Sequence, residues 1–200
     1  MQIWEKLNDE VGYEIGGYVQ AFYAHETNIV AYYIRHKADI LIPVVNNQRD
    51  DFKGIFEPLK NNYGVYFLLG DESNQGGKKT IYVGQASERE DTKGMDRLKE
   101  HMDRNRPDRY IDRWESAIYI TSSSNDWSSG VLNTLEKLFI SVYDADNRYT
   151  LLNNKQGKDG NVPEKEYAFK TIIIAKLLEL QLFGYQINRT KMAEFSSKLA

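Results

Sequence analysis

The chain has 200 residues, 41% of them apolar, which is enough to bury a core and favours one domain or one domain with appendages. It contains no cysteine, which excludes disulfides, thiolate metal sites and cysteine nucleophiles. A net charge of −3 excludes a uniformly basic surface, so a polyanion would have to be met by a local patch. No apolar run approaches membrane-spanning length, and Met1-Gln2-Ile3-Trp4-Glu5-Lys6 lacks the basic and then apolar layout of a signal peptide. A soluble cytoplasmic protein without membrane contact is expected.

The first fifty residues read as a β-rich N-terminal extension. Between Tyr13 and Tyr23 apolar and aromatic residues fall on alternate positions, residues 25–28 form a turn, and Ile29–Ile34 and Ile40–Val45 continue as strands. Such a meander needs the rest of the chain to cover its apolar face. A polar run over residues 46–51 marks the boundary that follows. His25 and His36 have no carboxylate at ligand spacing and read as surface or turn residues.

Gly64-Val65-Tyr66-Phe67-Leu68-Leu69 and Ile81-Tyr82-Val83-Gly84 have the composition of half-buried strands, and the polar run between them carries three glycines. A β-hairpin with a long connection is expected, with Tyr66 and Tyr82 on one face and room beside Gly64 and Gly84 for another backbone or a ligand. Met95–Arg104 follows as a helix, ended by Pro107. Its Arg97 and His101 are one turn apart, so their Cβ atoms stand roughly 5–6 Å from each other on one face. From Lys93 to Arg113 basic residues modestly outnumber acidic ones, a balance that a solvated helix explains as well as a phosphate track does.

Ser116–Thr121 reads as a third strand, and Val131–Tyr143 as a helix with an apolar stripe. Glu136 lies beside that stripe, either at its rim or aimed into a site, because an unpaired buried carboxylate is costly. Tyr149–Asn153 is a short extended segment, residues 156–163 are a loop, and Glu164–Phe183 is a long helix with apolar residues on more than one face. That helix is expected to be sandwiched inside the molecule or to pair with a second copy or another protein.

Gly64-Val65-Tyr66 and Tyr82-Val83-Gly84 resemble the two signature tripeptides of the GIY-YIG nuclease family, each with one Ile-to-Val change. Arg97 with His101, then Glu136, then Asn153 follow in that family's order, so the resemblance spans roughly residues 62–155. It implies an α+β fold, a small mixed sheet made of the hairpin plus a third strand and flanked by helices. Residues 1–50 would be the N-terminal extension, 60–155 the nuclease domain and 156–200 a C-terminal helical extension.

The activity implied is metal-dependent hydrolysis of DNA phosphodiesters. In it Tyr66 would be the general base, Tyr82 would hydrogen-bond the water or the phosphate, and Arg97, aided by His101, would favour the phenolate and clamp the phosphate. Glu136 would hold one Mg²⁺ or Mn²⁺, and Asn153 would orient the substrate or the tyrosine. Gly84, Arg97, Lys99 and Arg104 are the candidate substrate contacts. A catalytically silent nucleic-acid-binding or protein-interaction module on the same fold is the alternative.

Overall fold

The computed structural model describes residues 4–7, 19–25, 27–35, 50–70, 77–87, 94–102, 114–153 and six helical positions between 171 and 182, with the side chains of 50–53, 95 and 102 excepted. Within them a single sheet of seven strands runs through the molecule: β1 (Trp4–Lys6), β2 (Val19–Ala24), β3 (Ile29–Arg35), β4 (Gly64–Leu69), β5 (Lys79–Ala86), β6 (Ser116–Ser122) and β7 (Tyr149–Leu151). Their order is β1-β2-β3-β6-β4-β5-β7, antiparallel throughout except for the β5–β7 pair. The α+β class therefore holds, but the sheet is not small. The N-terminal strands extend it edge to edge, because β3 pairs with β6 along its whole length, from Ile29 opposite Ser122 to Arg35 opposite Ser116.

Among the described residues three helices have both ends defined: α1 (Asp50–Asn61), α2 (Gly94–Met102) and α3 (Ser129–Asp144). The β-branched and aromatic strand residues alternate between two faces, and each face has its own apolar cluster. Val65, Phe67, Ile81, Val83, Ile118 and Ile120 pack with Leu135 and Phe139 of α3. Tyr66, Leu68, Ala117 and Tyr119 pack with Phe56 and Leu59 of α1 and Leu98 of α2. The sheet thus lies between α1 with α2 on one side and α3 on the other, each helix burying its apolar stripe. Ser128 caps α3, its side chain accepting from the Val131 amide.

The C-terminal helical residues Ile172, Ala175 and Leu178 are buried in the α3-side cluster, so these side chains are covered by their own chain. The expected strand at Ile40–Val45, His36, the hairpin connection 71–76, Arg104, Pro107 and the loop 156–163 lie outside the described residues. No helix among the described residues is long and apolar enough to cross a membrane.

Glu179, on the same C-terminal helical stretch, is buried, and its carboxylate accepts from the Tyr143 hydroxyl. Burial holds the Glu179 carboxyl well above the ordinary carboxylate range, with Arg148, itself paired with Asp146, 3.7 Å away. A carboxyl raised in the fold contributes stability that is complete below its unfolded value and is lost as the pH climbs. Glu179→Gln should therefore melt with the parent near about pH 4 and above it near about pH 8, as followed by thermal unfolding across pH. Equal midpoints at both pH values would contradict a neutral Glu179.

Candidate active site

The hairpin register sets Tyr66 opposite Gly84 and Leu68 opposite Tyr82, so the two tyrosines are diagonal neighbours on one face. Their ring centroids are 6.4 Å apart. The space that Gly84 leaves is filled by Tyr66 itself, since a Cβ at position 84 would stand 2.4 Å from the Tyr66 Cζ and Oη. Gly84 is thus a seat for a phenol rather than open room for a ligand. A second glycine brings α2 close: a Cβ on Gly94 would lie 2.3 Å from the Tyr119 Oη and 2.8 Å from the Leu59 carbonyl. The Tyr119 hydroxyl donates to the Asn62 carbonyl at 2.7 Å, fixing the end of α1 against the same sheet face.

That approach delivers Arg97 and His101 to the tyrosines. The Tyr66 Oη and the His101 Nε2 are 2.8 Å apart and buried, and the imidazole ring lies 5.4 Å from the Tyr66 ring and 5.3 Å from the Tyr82 ring. Burial pushes the Tyr66 phenol far above its ordinary value, with Tyr82 adding to the rise; the Arg97 charge and hydrogen bond oppose it, and the Glu136 carboxylate adds again. Tyr66 therefore stays protonated. Which of the two donates across the Tyr66 Oη–His101 Nε2 contact is set by the imidazole tautomer.

The two phenols differ in exposure. Tyr66 is fully buried, whereas Tyr82 is partly exposed. Burial opposes ionisation of Tyr66, so a role as base would need a cation or metal that favours its phenolate. Arg97 also donates from Nη1 to Glu100, and its Nε is buried without a hydrogen-bond partner.

Glu136 comes from the other side. Ile81, Val83 and Gln85 alternate onto the α3 face of β5, and Gln85 Nε2 donates to Glu136 Oε2 at 3.0 Å and to Asn133 Oδ1 at 2.8 Å. Glu136 is partly buried, at the rim of the apolar stripe, and still within electrostatic reach of Tyr66 across the strand. Asn153 follows β7 and uses its amide as a substitute peptide: Oδ1 accepts from the Val83 amide at 2.9 Å and Nδ2 donates to the Val83 carbonyl at 2.8 Å. These two bonds brace the strand that carries Tyr82.

No group of three or more His, Cys, Asp or Glu residues suited to a metal occurs among the described residues. The oxygens near Glu136 are its own carboxylate and the Asn133 amide, while Gln85 presents its amide nitrogen to both and its Oε1 is buried with no hydrogen-bond partner among the described residues. That set fits a hard divalent cation which keeps most of its own water and takes few protein ligands, as Mg²⁺ does. It does not suit zinc.

Lys99 points its ammonium to Asp96 at 3.6 Å, and Arg104 lies outside the described residues. Gln85, Asn133 and Glu100 were not anticipated as neighbours of the candidate residues. Their positions carried a signal: Gln85 directly follows the second tripeptide, and Asn133 and Glu100 each stand three residues along a helix from Glu136 and Arg97. No family model, curated protein or solved structure matches this chain.

Proposed function

We propose that the chain is a divalent-cation-dependent phosphodiester hydrolase of the GIY-YIG kind, acting on DNA. The observation that carries this reading is the buried Tyr66–His101 hydrogen bond with Arg97 beside it, lying behind the partly exposed phenol of Tyr82. Such a set supplies the two things hydrolysis demands of side chains, a proton acceptor for water and a cation at the phosphate.

Tyr82 holds the attacking water and takes its proton, which requires the phenolate, since a free phenol ionises near about pH 10. A divalent cation bound at Glu136 would supply positive charge that favours that phenolate and assists the departing oxygen. Arg97 meets the phosphate as its charge grows, and the unpartnered Nε–H is a donor that a phosphate oxygen would satisfy. Tyr66 holds His101 and Arg97 in register, and Asn153 keeps β5 straight beneath Tyr82. The water oxygen bonds to phosphorus as the bond to one ester oxygen breaks.

The direct test is incubation with single-stranded, duplex and branched DNA in Mg²⁺ or Mn²⁺, and again in excess chelator. Cleavage in either metal that stops in chelator is expected. Failure to cut any of the substrates with either cation would overturn the reading.

One observation favours a second reading. Arg97 is already paired with Glu100, and Tyr66 is held protonated, an arrangement equally suited to a module that binds nucleic acid without cutting it. Such a module would bind DNA with a steep salt dependence and yield no product.

A further inference from the structure

The unpartnered amide oxygen of Gln85 stands out because the rest of that side chain is fully committed. A carboxylate can only accept, so the contact with Glu136 Oε2 assigns the Gln85 nitrogen, and its second N–H goes to Asn133 Oδ1. The amide cannot flip without setting its oxygen against the carboxylate. Gln85 Oε1 is thereby turned away from both partners, buried and with no donor.

Resting on the proposed cation at Glu136, we propose that Gln85 is its positioning residue: its amide nitrogen, held by Asn133, fixes the carboxylate that would carry the cation. Three features of the structure combine here. Gln85 is anchored on rigid β5, one residue from Gly84, so its Cα does not move independently of the tyrosine hairpin. Asn133, one turn before Glu136 on α3, holds the amide plane so that the carboxylate and the strand keep one spacing. The donors are oxygen, as a strongly hydrated cation requires. Partners of this outer kind affect metal affinity by about 10–100-fold when removed.

The test is a calorimetric titration of the full chain with Mn²⁺, independent of any cleavage. Two variants are compared, Glu136→Ala and Gln85→Leu, each first confirmed to melt cooperatively like the parent. Glu136→Ala should lose the site. Gln85→Leu should bind Mn²⁺ about 10–100-fold more weakly. If Glu136→Ala loses binding but Gln85→Leu binds like the parent, the role given to Gln85 is wrong. If Glu136→Ala itself binds Mn²⁺ like the parent, the cation reading has failed instead.

Discussion

Tyr82→Phe should lower the single-turnover rate of DNA cleavage by about 10²–10⁴-fold, the range for loss of a positioned proton acceptor, while Tyr66→Phe should lower it much less. The two changes remove the same atom from rings 6.4 Å apart, so the comparison isolates role from size. Tyr82 is the phenol with surface, and its loss leaves water without an acceptor. Tyr66 is enclosed over Gly84 with its ionisation opposed by burial, and what it loses is the hydrogen bond that sets His101 and Arg97. Tyr66→Phe also removes the hydroxyl that is hydrogen-bonded to His101 Nε2, so its cost should appear in stability as well, on the order of 1–3 kcal/mol by denaturant unfolding. The reverse order of rates would return the base to Tyr66.

Arg97→Ala should cost about 10²–10³-fold in cleavage, as other losses of a transition-state donor do. Its effect on ground-state DNA affinity should be smaller, because Glu100 already neutralises the guanidinium before substrate arrives. Arg97→Lys should recover little of the rate: an ammonium keeps the charge but has neither the planar fork nor the Nε–H that is left unpaired in the buried site. Cleavage by Arg97→Ala at the rate of the parent would remove Arg97 from the chemistry.

The hairpin and its tyrosines were legible because strand alternation writes itself into side chains: Tyr66 and Tyr82 fall on one face and Val65, Phe67 and Val83 on the other. The same logic located α2, α3, β6 and β7. The union of the N-terminal strands with the rest was not legible, since β3 and β6 join through backbone hydrogen bonds between residues some ninety positions apart, and backbone pairing has no side-chain signature. Helix α1 was overlooked although Ile55, Phe56 and Leu59 are spaced for one, because Gly54 and Pro58 argue locally against a helix that tertiary packing nevertheless supports.

Within the site, spacing brought Arg97 and His101 together on paper as in the structure. It could not show that Tyr66 would be sealed and Tyr82 left at the surface. That difference arises from the approach of α2 at Gly94 and the seat at Gly84, both products of packing between distant segments. Nor could spacing show that Glu136 arrives from the opposite side of the sheet, where Gln85 meets it.

That opposite approach makes the unity of the site the claim on which the rest depends. The most direct measurement is a double-mutant cycle in single-turnover DNA cleavage on Arg97→Ala, Glu136→Ala and the double variant. Residues acting as a unit are strongly non-additive, so the double variant should cut no more slowly than the worse single one. Losses that multiply, or single variants as fast as the parent, would show that the two faces of the sheet do not share one reaction.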